Sequence, residues 1–309
     1  MVITMKTKQI TALCLGSVLI GILLGAGRIF MSIAALQAGI EMYIRESPLP
    51  AVFHIILTVA AAAALVLGLL LGADTKKTGG RLRPGKAGQA LSFVSLLMAF
   101  MLLAYDGMTV YSMARNRWTD IGPLIGTPVE GVTFASAVFS LLFLIAAIPA
   151  AVYFFKTASS DPVQISTGYA ISAVMPAIWF VLCALHQYFD TATAFNSPVK
   201  IVRILATLLL LLFAVHDARC VLRIADPRLF FGFAFPAVVV GIAQAVSDGV
   251  IYAMGGIRMN AGYLGVVLQL VYVCYILFRV KSVTTAPEPE PEPLSVPSED
   301  EENGEEERG

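Results

Sequence analysis

Residues 51–73 read AVFHIILTVAAAAALVLGLLLGA, an apolar run with one histidine and no formal charge. About 20 mainly apolar residues carry a helix across the hydrocarbon core of a bilayer. The alanines at 60–64, followed by Leu65, Leu69, Leu70 and Leu71, favour helix over strand. A membrane barrel strand would instead alternate apolar and polar residues. Seven further runs have the same character: 10–26, 91–113, 134–155, 169–188, 198–215, 229–254 and 262–278. The fold class expected is all-α, a polytopic transmembrane helical bundle of about eight spans. Residues 1–281 form the membrane domain and 282–309 a separate tail.

Composition agrees with that reading. The chain is 58% apolar and 14% charged, with a mean hydropathy of +0.80. Soluble domains average about 45–50% apolar and about 25% charged residues. These values exclude a soluble enzyme, a nucleic-acid binder and a disulfide-rich secreted domain. The zero net charge conceals a partition: 10 of the 21 acids lie between Glu288 and Glu307, and beyond Lys281 the one base is Arg308.

Orientation follows from the distribution of Lys and Arg. With the N-terminus inside, the inner segments carry 14 bases and the outer segments 7. Most of the bias comes from residues 74–90, DTKKTGGRLRPGKAGQA. Both termini are therefore expected in the cytoplasm. Lys6, Lys8 and the small residues Gly25-Ala26-Gly27 have some signal-peptide character. No clean A-x-A site follows, and the apolar run continues through Ile29-Phe30-Met31. The first span is read as a retained signal anchor; cleavage would leave seven spans. Beyond it, Ile29, Ile33, Leu36, Ile40 and Ile44 recur at helical spacing, with Glu41 and Arg45 as an i,i+4 pair. This predicts an amphipathic helix on the outer face, or a continuation of span one.

Cys14, Cys183, Cys220 and Cys274 show neither a disulfide framework nor a C-x-x-C metal spacing, and read as small apolar side chains. The tail, TTAPEPEPEPLSVPSEDEENGEEERG, is too acidic and proline-rich to form a core and is expected to be disordered. Its partners are water alone, the basic 74–90 loop of the same chain, or a basic cytoplasmic protein.

Ionisable groups at membrane depth are costly and mark candidate sites. His54, Asp106, His186, Asp190 and Asp248 all fall in the outer part of their spans on this topology. One reading is a convergent polar cavity able to bind a cation, relay protons or support hydrolysis. The other is a scatter of interfacial groups that reach water. Depth along the helix does not decide between them. Arg203, inside span six, is expected to snorkel to the nearer interface. His216 and Asp217 end that span beside Arg219, Arg223 and Arg228, and are read as a solvated basic loop within reach of lipid headgroups. Gly68 and Gly72 form a GxxxG-like pair suited to close helix contact. Pro149, Pro176 and Pro236 lie inside spans four, five and seven.

No phosphate-binding glycine loop, H-E-x-x-H, G-x-S-x-G or dinucleotide fingerprint is present. No histidine pair suits haem, and no cofactor is expected; any metal is unknown. The segments Met175-Pro176-Ala177-Ile178-Trp179-Phe180, Phe195-Asn196-Ser197-Pro198-Val199-Lys200 and Leu212-Phe213-Ala214-Val215-His216-Asp217-Ala218-Arg219 resemble a loose group of uncharacterised multi-span bacterial membrane proteins. That resemblance implies a multi-pass protein of a bacterial cytoplasmic membrane, with the lipid bilayer as partner, and brings no activity. Three functions remain in view. The first is a transporter or transport-associated subunit using Asp106 and Asp248. The second is a membrane scaffold or sensor working through the acidic tail. Least supported is an intramembrane enzyme, since no nucleophile–base pair is evident.

Overall fold

The structure, a computed structural model, describes residues 2–37, 42–44, 47–73, 86–115, 134–158, 167–189, 197–222, 224, 226–257 and 262–285. Among the described residues, eight helices are long and apolar enough to cross a membrane. They are α1 (Val2–Ala35), α2 (Leu49–Ala73), α3 (Lys86–Arg115), α4 (Phe134–Ala158), α5 (Thr167–Phe189), α6 (Pro198–Val221), α7 (Pro227–Ala253) and α8 (Gly262–Thr285). The acidic run from 286, most of the basic 74–90 segment and Asp190 lie outside the described residues.

Local chemistry sets several helix ends. Ser197 caps α6, its side chain accepting from the Lys200 amide, and Pro198 follows at the first helical position. Asp226 and Pro227 start α7 the same way, with Asp226 Oδ1 accepting from the Arg228 amide at 2.9 Å. At its other end Gly255 adopts φ 72°. The Gly256 amide then reaches the Ile251 carbonyl and the Gly255 amide that of Tyr252, both at 2.9 Å, closing a Schellman turn. Pro149, Pro176 and Pro236 all lie within continuous helices.

Of the two readings of the segment beyond span one, the continuation holds as far as Ala35, the helix is corrected at Leu36–Gln37 and Met42–Tyr43, and Ile40, Glu41 and Arg45 lie outside the described residues. Helix α1 continues to Ala35, then β1 (Leu36–Gln37) pairs antiparallel with β2 (Met42–Tyr43). The Ile44 amide extends the ladder to the Ala35 carbonyl at 2.8 Å. Tertiary packing overrides the helical periodicity here: Leu36 joins Val199, Ile251 and Ile257, and the Tyr43 ring meets His54. Span six is also longer than read, since α6 runs on to Val221.

Helix α7 is the centre of the bundle. Its apolar window is 83% buried, against 22–44% for the other seven spans. A helix hydrophobic on every side belongs inside. It packs against α1, α2, α6 and α8. Glycine permits the two closest approaches. A Cβ on Gly68 would meet the Phe231 carbonyl, and one on Gly72 would lie 2.6 Å from Arg228 Cα, so the Gly68/Gly72 pair seats α2 on the start of α7. Gly21, one turn before Gly25, seats α1 similarly, with a built Cβ 2.9 Å from Ile242 Cβ.

The remaining packing closes a ring. Helix α3 touches α4, α4 touches α5, α5 touches α6, α6 touches α7, α7 touches α8, and α8 returns to α3. Aromatic rings fill its interior: Tyr272 of α8 lies 4.8 Å from Phe180 of α5, and Tyr275 lies 5.1 Å from Phe154 of α4. Helices α1 and α2 attach outside the ring, on α7. The C-terminal part of α1, the start of α2 and the β1–β2 pair share one end, called here the hairpin end.

Candidate functional site

Three buried aspartates define three polar sites inside this apolar bundle. Asp248 of α7 lies at the hairpin end and is fully buried. Its Oδ2 accepts from Arg203 Nε of α6 at 2.8 Å and from Gln244 Nε2, one turn earlier on α7, at 2.7 Å. Arg28 Nη1 of α1 stands 2.7 Å from Oδ1 and donates to Ser247 Oγ at 2.8 Å. Ser247 passes its own hydrogen to the Ala243 carbonyl. One carboxylate thus ties α1, α6 and α7 together. Arg28 is 1% exposed and Arg203 15%. Arg203 therefore turns inward to an acid; the expected snorkel to the interface is corrected, because a buried counter-charge lies within reach.

Asp217 of α6 lies towards the opposite end and belongs to no solvated loop; that expectation is corrected too. The extra turn of α6 carries it inside the ring, where it is 2% exposed. Its Oδ1 accepts from Arg279 Nε of α8 at 2.7 Å. Its Oδ2 accepts from Tyr153 of α4 at 2.7 Å and Tyr275 of α8 at 2.6 Å. The two hydroxyls are 3.0 Å apart, and Tyr169 stacks on Tyr153 at 5.8 Å. The neighbouring His216 is also buried, stacked 5.2 Å from the Phe233 ring.

Asp106 of α3 has a different environment. It is fully buried, and its Oδ2 accepts from Trp179 Nε1 of α5 at 2.9 Å. Its Oδ1 has no hydrogen-bond partner, and no cation pairs with it, among the described residues. The surroundings are aromatic: Tyr105 lies edge-on to Trp179, and Phe143 of α4 lies between Trp179 and His186.

The sequence-read candidates therefore divide between two neighbourhoods. Asp106 and His186 are linked through Trp179 and Phe143. Asp248 pairs with Arg28 of α1, and the charge of that guanidinium acts on His54 of α2. His54 Nε2 is buried without a hydrogen-bond partner among the described residues. Among those residues no group of three or more His, Cys, Asp or Glu is placed to hold a metal ion.

Sequence reasoning missed Arg28 as the partner of Asp248, and it missed the whole Asp217–Arg279 site. The signal was an acid and a base at matched depth in two spans, which the cost of lone intramembrane charges makes informative. Trp179 gave no comparable signal, because an indole beside an acid is invisible until the helices pack.

Fold and sites together define a polytopic helical membrane protein with buried ion pairs linking its spans. Comparison of the chain with protein-family models, with curated proteins and with solved structures gives no match.

Proposed function

We propose that the chain is a transporter, or the membrane subunit of a transport system, seated in a bacterial cytoplasmic membrane with both termini in the cytoplasm. The observation supporting it is Asp106: a fully buried carboxyl at membrane depth, held by one neutral donor and by no cation among the described residues. A bundle gains little stability from such a group, since burying a polar atom without a partner is unfavourable. Intramembrane carboxyls of this kind serve as proton relays and ion-pathway residues in pumps and transporters. Tyr105, Cys183 and His186 are the other titratable side chains of that neighbourhood. In this reading Asp106 takes up and releases a proton as the ring α3–α8 rearranges, and the aromatic fill of the ring blocks leakage.

The test is a proteoliposome flux assay with an internal pH-sensitive dye and a panel of added solutes. The expected result is solute-dependent proton movement that disappears in Asp106→Asn. A folded Asp106→Asn protein that moves protons as well as the unaltered chain would refute the role of Asp106. Silence of the unaltered chain with every solute, together with loss of bound cytoplasmic proteins on deleting residues 284–309, would favour the scaffold reading instead.

A further inference from the structure

We infer that the Arg28 guanidinium is a binding site for an oxyanion, taken at the hairpin end between α1, α2 and α7. A guanidinium carries five N–H donors in a fixed plane. Arg28 uses one nitrogen, Nη1, on Ser247 and Asp248. The other two, Nε and Nη2, are buried and have no hydrogen-bond partner among the described residues. Those two nitrogens form the side-on edge of the fork, whose parallel hydrogens match two oxygens of a carboxylate or phosphate.

Three features show that this edge is held in place for a ligand. First, Ser247 and Asp248 fix the opposite corner of the guanidinium, so its plane is set before anything binds. Second, Asp248 approaches the guanidinium through Nη1, which stands 2.7 Å from its Oδ1 and is not part of that edge, while its Oδ2 is taken by Arg203 and Gln244. Third, His54 on the neighbouring α2, on which the Arg28 charge acts, also has its Nε2 buried and without a hydrogen-bond partner among the described residues. Leaving buried donors unmatched costs free energy, more so for a charged group. An anion with two oxygens removes that cost, which a single water molecule does only in part.

Among the described residues, the charged and titratable groups linked to Arg28 are Asp248 on α7, Arg203 on α6 through that same carboxylate, and His54 on α2. The ligand is thus an oxyanion of carboxylate or phosphate type, coming either from a small solute or from an anionic lipid headgroup. This inference goes beyond the transport reading and does not depend on it, since binding is measured without flux.

The experiment uses the full chain purified in detergent and in nanodiscs. One arm adds sodium acetate or inorganic phosphate against sodium chloride at constant ionic strength, and follows thermal unfolding and calorimetric binding. The other compares nanodiscs of phosphatidylglycerol with phosphatidylcholine, and follows lipid retention by native mass spectrometry. Arg28→Lys keeps a positive charge for Asp248 but lacks the side-on fork, so binding weakens about tenfold or more. Ser247→Ala, which only loosens the guanidinium, weakens it less. Saturable stabilisation by acetate or phosphate that Arg28→Lys loses supports a small-solute site. Retention of phosphatidylglycerol that Arg28→Lys loses supports a lipid source. Absence of both effects in the unaltered chain overturns the inference, as does binding that Arg28→Lys leaves unchanged. If Arg28→Lys does not fold, Ser247→Ala and His54→Ala carry the same comparison, and equal binding in both overturns it. A flux failure with intact binding would remove only the transport reading.

Discussion

The Asp217 and Asp248 sites are built from the same groups and end in different states. At Asp217 one carboxylate meets one guanidinium and two tyrosine hydroxyls, and both of its oxygens are matched. At Asp248 one carboxylate is shared by two guanidiniums, and one edge of Arg28 remains without a protein partner among the described residues. The first arrangement is complete in itself: it joins α4, α6 and α8 and asks for nothing further. The second joins α1, α6 and α7 and leaves donors over. Buried ion pairs add little net stability when complete, but losing one partner costs about 3–5 kcal/mol. A site with donors left over is therefore better explained by what it binds than by what it stabilises.

Removing each aspartate tests that contrast, and Asp248→Ala has the largest expected effect. It leaves Arg28 buried without its carboxylate and takes away the acid that Arg203 bonds. The expected loss is at the upper end of about 3–5 kcal/mol, read as a fall in unfolding midpoint in a detergent titration. Asp217→Asn should follow at the lower end of that range. It strands Arg279, but the amide oxygen still accepts from a tyrosine. A larger loss at Asp217 than at Asp248 would reverse the comparison.

Tyr275→Phe comes next, at about 1–2 kcal/mol. It removes one of two hydroxyls donating to Asp217 Oδ2, and Tyr153 keeps the other bond. Equality of Tyr275→Phe with Asp217→Asn in the same titration would mean that the hydroxyls, and not the ion pair, hold that end together.

The sequence disclosed the bundle more fully than its sites, for a physical reason. Span length and helix type follow from local hydropathy, which the bilayer imposes on every residue of 51–73. The Gly68/Gly72 contact was legible because small side chains in an apolar helix have few other uses. The ion pairs were not legible in full, since Arg28 lies 219 positions from Ser247 and one more from Asp248, and they meet only because Gly21 and Gly25 bring α1 onto α7. Asp217 was misread because the adjacent Arg219, Arg223 and Arg228 look like a loop, while the six further residues of α6, to Val221, put it inside. Leu36 left the helical pattern for packing partners, Val199, Ile251 and Ile257, that lie more than one hundred positions away.

Asp106 supplies the smallest expected change in stability and the sharpest comparison. Unlike Asp217 and Asp248, it pairs with no cation among the described residues, so an amide in its place leaves no buried charge behind. Asp106→Asn keeps the shape of the side chain and an oxygen to accept from Trp179 Nε1. Its unfolding midpoint should stay within about 1 kcal/mol of the unaltered chain, because a neutral hydrogen bond is exchanged for another of similar strength. Trp179→Phe should cost more, about 1–3 kcal/mol, since it leaves both carboxyl oxygens without a donor. A loss in Asp106→Asn as large as that in Asp217→Asn would show that Asp106 is a structural anchor of the same kind. An unchanged midpoint with lost proton flux separates it from both other aspartates, as the one acid of the three whose charge the fold does not use.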